Sequence, residues 1–159
     1  MSDTSTDSVK QRMQAALTAA MRARDEVSMS SLRQALAEVA VAETAGAELV
    51  VLSDDAVLAV LAMEVRKHHE TADAFVAAGR PEKVDRERAE AAVLEAYLPA
   101  ALSEADLDAM IDAEIAAAAA DGATGMKAMG KVVAAVRAKA GPTADGAAIA
   151  AKVKSALSA

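Results

Sequence analysis

The chain has 159 residues and a formal net charge of −7; 54% of its residues are hydrophobic, yet Phe75 and Tyr97 are its only aromatics and it has no Cys. A disulfide scaffold or Cys-based zinc site is thereby excluded, as are a β-sandwich or barrel and an RNA reader that stacks bases on aromatic rings. With Ala at 45 positions and only three Pro and seven Gly, the composition points to an all-α protein.

Residues 1–7 are polar and read as a disordered N-terminus. A first helix starts near Ser5 or Asp7 and lines one face with Val9, Met13, Ala16, Leu17, Ala20 and Met21. Arg24-Asp25-Glu26 marks a turn. A second helix carries Leu32, Leu36 and Val39 and stops near Gly46. Ser53-Asp54-Asp55 is a capped start with acids in the first turn, and the third helix runs through Val57, Leu61, Val65, His68, Ala72 and Phe75 to a stop at Gly79. Pro81 suits the first turn of a fourth helix that continues to about Ala96. Pro99 then breaks the chain. Ser103-Glu104-Ala105-Asp106 approximates a capping box, opening a fifth helix with Leu107, Met110, Ile111 and Ile115 inside and a stop at Asp121-Gly122. A sixth helix uses Met126, Met129, Val133 and Val136 as core. Gly141-Pro142 separates it from a seventh, which starts at Thr143 or Asp145 with a stripe of Ile149, Val153 and Leu157.

The expected architecture is an N-terminal bundle of about four helices, residues 8–98, followed by a small three-helix unit, residues 99–159; one continuous bundle is the alternative. The N-terminus lacks the basic and apolar parts of a signal peptide. The longest apolar run, residues 115–120, is far short of the roughly 20 residues a membrane span needs. A cytoplasmic location without membrane contact is therefore expected.

Charge is uneven along the chain. Residues 1–121 hold 11 Lys/Arg and 23 Asp/Glu, whereas residues 122–159 hold six Lys/Arg and one Asp. The six are Lys127, Lys131, Arg137, Lys139, Lys152 and Lys154. They suggest an anionic partner at the C-terminal end, set against the plainer reading of a Lys-rich solvated surface.

Other candidate chemistry is weak. Gly125-Met126-Lys127-Ala128-Met129-Gly130-Lys131 imitates a phosphate-binding loop but ends in Val132, which cannot ligate Mg²⁺, and follows a helical Ala run where that loop needs a strand. His68 and His69 are adjacent and point about 100° apart on a helix, so they cannot share an ion. Glu64 shares a face with His68, and Asp73 with His69, but two ligands without a third make no zinc site. Satisfied histidines and no bound metal are the expectation. No nucleophile elbow appears, and no carboxylate stands out as an acid or base. No catalytic residue and no cofactor are expected.

Several segments occur together in one order: Ser31-Leu32-Arg33; Leu52-Ser53-Asp54-Asp55-Ala56-Val57 followed by Glu64-Val65-Arg66-Lys67; Ala78-Gly79-Arg80; Glu95-Ala96-Tyr97-Leu98-Pro99 with Leu102-Ser103-Glu104-Ala105-Asp106-Leu107; the Gly125-to-Lys131 segment; and Ala144-Asp145-Gly146. Together they resemble the GatB/YqeY family over nearly the whole chain from about Ser8. The family is similar to the all-α tail of the B subunit of the tRNA-dependent amidotransferase, which amidates Glu-tRNA(Gln) or Asp-tRNA(Asn) with glutamine as nitrogen donor. A related domain is also appended to some glutaminyl-tRNA synthetases.

The resemblance implies a tRNA-facing role and an association with carbon–nitrogen ligase activity. It supplies no catalytic residue, because the tail contains neither the kinase nor the glutaminase centre. The expected function is a YqeY-like accessory module that binds tRNA through the six C-terminal cations, with an aminoacyl-tRNA synthetase or amidotransferase subunit as a further partner. The alternative is a helical protein–protein adaptor with no RNA role, docking through its acidic N-terminal bundle.

Overall fold

The computed structural model describes residues 7–159; the disorder expected of residues 1–7 lies, apart from Asp7, outside them. The fold is all-α, with seven α-helices among the described residues, which divide into two compact units between Leu98 and Pro99.

The first unit contains α1 (Val9–Ala23), α2 (Glu26–Glu43), α3 (Asp54–Ala77) and α4 (Pro81–Glu95). Helix α1 begins later than its sequence suggests because Ser8 is the residue with a partner three positions on. Its hydroxyl accepts from Gln11 N at 3.2 Å, and Gln11 Oε1 accepts from Ser8 N at 2.8 Å. Two of the four backbone donors orphaned at a helix start are thus satisfied reciprocally. A third, Val9 N, donates to Asp54 Oδ1 at 3.0 Å, which ties α1 to the start of α3. Helix α2 ends at Glu43, short of Gly46. The chain turns back there: the Glu43 carbonyl accepts from Val50 N at 3.0 Å, and its buried carboxylate pairs with Lys10 Nζ at 2.6 Å and accepts from Leu52 N at 3.3 Å, so it joins α1 to the returning loop.

The Lys10 hydrogen bond holds the Glu43 carboxyl below its ordinary value of 4.5. A carboxylate depressed by folding contributes stability above its unfolded pKa and loses it as pH falls through the folded one. Glu43→Gln is therefore expected to melt below the wild type at pH 7. The gap in melting temperature should close as the pH falls below about 4.5, which a thermal series from neutral to acid pH checks.

The core of this unit is built from Val9 and Met13 of α1, Leu32, Ala35 and Val39 of α2, Val57, Leu61 and Val65 of α3, and Leu94 of α4. These recur at three- and four-residue spacing, the period that puts them on one stripe of each helix. Helix α3 packs chiefly on α4, where Ala62, Ala72 and Ala91 are buried and small side chains suit close backbone approach. Their connection is only Ala78-Gly79-Arg80. Gly79 has φ +67°, Arg80 N donates to Phe75 O at 2.9 Å, and Gly79 N donates to Val76 O at 3.1 Å. This Schellman closure needs a left-handed residue at Gly79. Gly79→Ala is expected to cost about 1–2 kcal/mol, the left-handed penalty of an L side chain, measurable by urea unfolding. Pro81 occupies the first turn of α4, as its fixed φ favours.

The second unit contains α5 (Glu104–Ala120), a 3-10 turn at Gly125–Ala128, α6 (Met129–Ala140) and α7 (Gly146–Ser158). Ser103 caps α5 through Asp106 N at 3.1 Å. The capping box is incomplete: Asp106 is shorter than Glu, and its carboxylate takes the Ser103 hydroxyl at 2.6 Å. Asp145 caps α7 through Ala147 N and Ala148 N. Ile111, Ala118, Ala128, Val132, Val136, Ile149 and Val153 form the core. Met126 corrects the expected sixth helix: it lies in the 3-10 turn and is 50% exposed, while Val132 takes the inward position. No helix among the described residues is long and apolar enough to cross a membrane.

Candidate functional site

The six C-terminal cations all fall in the second unit, and folding changes their electrostatic setting. Helix α5 belongs to the same unit and brings Glu104, Asp106, Asp108, Asp112 and Glu114, with Asp121 at its end. Residues 99–159 hold six Lys/Arg against seven Asp/Glu, a formal −1. The basic stretch seen along the sequence is thus opposed in space by the acidic helix just before it.

Three of the six cations have carboxylate partners. Lys131 Nζ meets Asp121 Oδ2 at 2.5 Å, Lys139 pairs with Glu114, and Lys152 Nζ lies 2.8 Å from Asp108 Oδ1 and 3.9 Å from Glu104. The Lys131 ammonium holds the Asp121 carboxyl below its usual range, and the Asp108 carboxylate pushes Lys152 up. Lys127, Arg137 and Lys154 are exposed and have no carboxylate within ion-pair distance among the described residues. Lys127 lies in the 3-10 turn, which touches the end of α7 where Ser158 Oγ meets Met126 Sδ at 3.8 Å; Lys154 is one turn back along α7. Arg137 lies over the start of α7, where a Cβ on Gly146 would stand 3.0 Å from its guanidinium carbon. The Gly125-to-Lys131 segment is a 3-10 turn running into α6, and it is preceded by α5. It has neither the strand nor the loop of a phosphate cradle.

The second polar locus was missed by sequence reasoning. His68 does not meet Glu64, although both are buried on α3. Glu64 instead accepts from Lys67 Nζ at 2.6 Å and from Gln34 Nε2 at 2.9 Å. His68 faces α4: its Nδ1 lies 2.8 Å from Glu87 Oε2 and 3.9 Å from Glu90 Oε2. Arg86 Nε donates to Glu90 Oε1 at 3.0 Å, and Ser31 Oγ of α2 donates to the Glu90 carbonyl at 2.8 Å. Among the described residues, His68 Nε2 is buried without a hydrogen-bond partner. His69 likewise finds Glu95 of α4, at 2.7 Å, rather than Asp73. Glu87 and Glu90, three apart on α4, share a helix face; that spacing was the one signal in the sequence, and it needed the α3–α4 pairing to acquire meaning. Arg33 is exposed on α2.

No curated protein matches the sequence. The model of the family described as Yqey-like protein matches residues 10–157, which takes in all seven helices nearly end to end. With that span and this all-helical fold, the chain belongs to the YqeY-like protein family.

Proposed function

We propose that the chain is a tRNA-binding accessory module that holds RNA backbone through its second unit and contributes no catalytic group of its own. Carbon–nitrogen ligase chemistry with a glutamine amido donor would then belong to an amidotransferase or synthetase partner. The observation that supports this reading is the set Lys127, Arg137 and Lys154, exposed and without a carboxylate partner among the described residues, in a unit whose other cations are taken up by α5. Contacts of this type position a folded RNA by charge and shape and read no base.

The ion pairs refine which residues matter. An exposed pair is worth about 0–1 kcal/mol, so Lys131, Lys139 and Lys152 contribute less than their number suggests. Changing Lys127, Arg137 and Lys154 together to Glu is expected to weaken tRNA binding at least about tenfold, since each phosphate contact is lost and replaced by repulsion. Neutralising one internal pair, Lys131→Gln with Asp121→Asn, keeps the net charge and should leave the affinity within about threefold. Filter binding at fixed low salt separates the two. Equal loss in both variants would contradict the assignment. No RNA binding by the wild type would favour the protein adaptor.

A further inference from the structure

We infer that His68, Glu87 and Glu90 form a binding site for a divalent first-row transition metal ion between α3 and α4. One donor atom from each lies within 4.8 Å of the others. The three are not a surface accumulation of acid: His68 and Glu90 are buried, and the Glu87 side chain is 23% exposed. An imidazole nitrogen and two carboxylate oxygens are the donor set that suits zinc and its neighbours, and three protein ligands leave a fourth position for solvent.

The spacing fits an ion held by all three. Metal–ligand distances of about 2.0–2.1 Å at tetrahedral angles separate neighbouring donors by about 3.3 Å. The observed separations from Nδ1, 2.8 Å to Glu87 and 3.9 Å to Glu90, lie on either side of that value. Shifts of about half an ångström in opposite directions would bring both to it. The surrounding groups suit the same role. Arg86 holds the far oxygen of Glu90, and Ser31 fixes the α4 backbone at that residue; such outer contacts orient ligating carboxylates.

Without an ion, His68 serves only one of the two carboxylates. The one proton on Nδ1 serves Glu87, and Glu90 Oε2 is beyond hydrogen-bond reach of that nitrogen. Coordination through Nδ1 requires the imidazole proton to move to Nε2, which has no acceptor among the described residues, a cost that the ion's bonds to the two carboxylates have to exceed. The dication would then face two carboxylates, one now held by His68 and the other by Arg86.

The test is zinc titration of the tag-free full chain by calorimetry, with cobalt absorption as a report of coordination number. Wild type should bind one zinc per chain and give the intense visible bands of four-coordinate cobalt. Glu87→Gln, a half-buried position where the amide oxygen can still accept from His68, should fold normally and bind at least tenfold more weakly. His68→Gln should lose the cobalt bands. His69→Gln, which touches only the exposed Glu95 pair, should bind as the wild type does. Absence of saturable zinc binding by the wild type, equal affinity in Glu87→Gln, or equal weakening by His69→Gln would overturn the assignment and leave the cluster a buried hydrogen-bond latch.

Discussion

Replacing Ile149 by Ala is expected to unfold residues 99–159 early while residues 7–98 keep their structure. Ile149 is 1% exposed and sits on α7 among Val132, Val136 and Ile111. Truncation of a buried Ile costs about 2–5 kcal/mol, through lost transfer energy and the cavity left behind. A unit of this size has a total margin of roughly 3–9 kcal/mol, so a single truncation removes a large part of it. The chain supplies its own reporter: both aromatics, Phe75 and Tyr97, lie in the first unit. Tyr97 packs on that unit's core, with the Arg12 guanidinium carbon 5.8 Å from its ring centroid. In Ile149→Ala, far-ultraviolet circular dichroism should show an early urea transition while Tyr97 emission changes at the wild-type midpoint. Coincident shifts in both signals would mean that the two cores unfold as one.

Leu61→Ala is expected to do the converse. Leu61 is fully buried in the middle of α3, within a cluster drawn from all four helices of the first unit. The expected loss is about 3 kcal/mol, or roughly 12–24 °C in melting temperature for a domain of this length. Here Tyr97 emission should move first, and the part of the dichroism signal that comes from the second unit should not move. A shift below about 4 °C, worth less than 1 kcal/mol, would contradict the packing assigned to α3.

Local features of this fold were legible because their causes are local. Ser53 and Ser103 are caps, Asp145 opens α7, Pro81 opens α4 and Gly79 closes α3, each through chemistry that spans a few residues. The apolar stripes followed from helical period, except that Met21, expected on the inner face of α1, is 51% exposed. The misreadings share a different origin. Met126 fits the helical period of α6, but the chain there is a 3-10 turn, which rotates its side chain outward.

The candidate sites were less legible because they depend on pairing between helices. Residues 122–159 are basic as a stretch of sequence, but their unit begins at Pro99 and includes the acids of α5. Those acids engage Lys131, Lys139 and Lys152 from 10 to 44 positions away. His68 had Glu64 as its obvious neighbour one turn back. Burial turned Glu64 toward Gln34 and Lys67, and the αα-hairpin delivered Glu87 and Glu90 instead.

The most direct test of the proposed RNA role is the salt dependence of tRNA binding by the wild-type chain. Three cations each neutralising one phosphate give a log–log slope of about −2 to −3. Binding that weakens along that slope agrees with contacts through Lys127, Arg137 and Lys154. A slope near zero, or no binding at low salt, would contradict it.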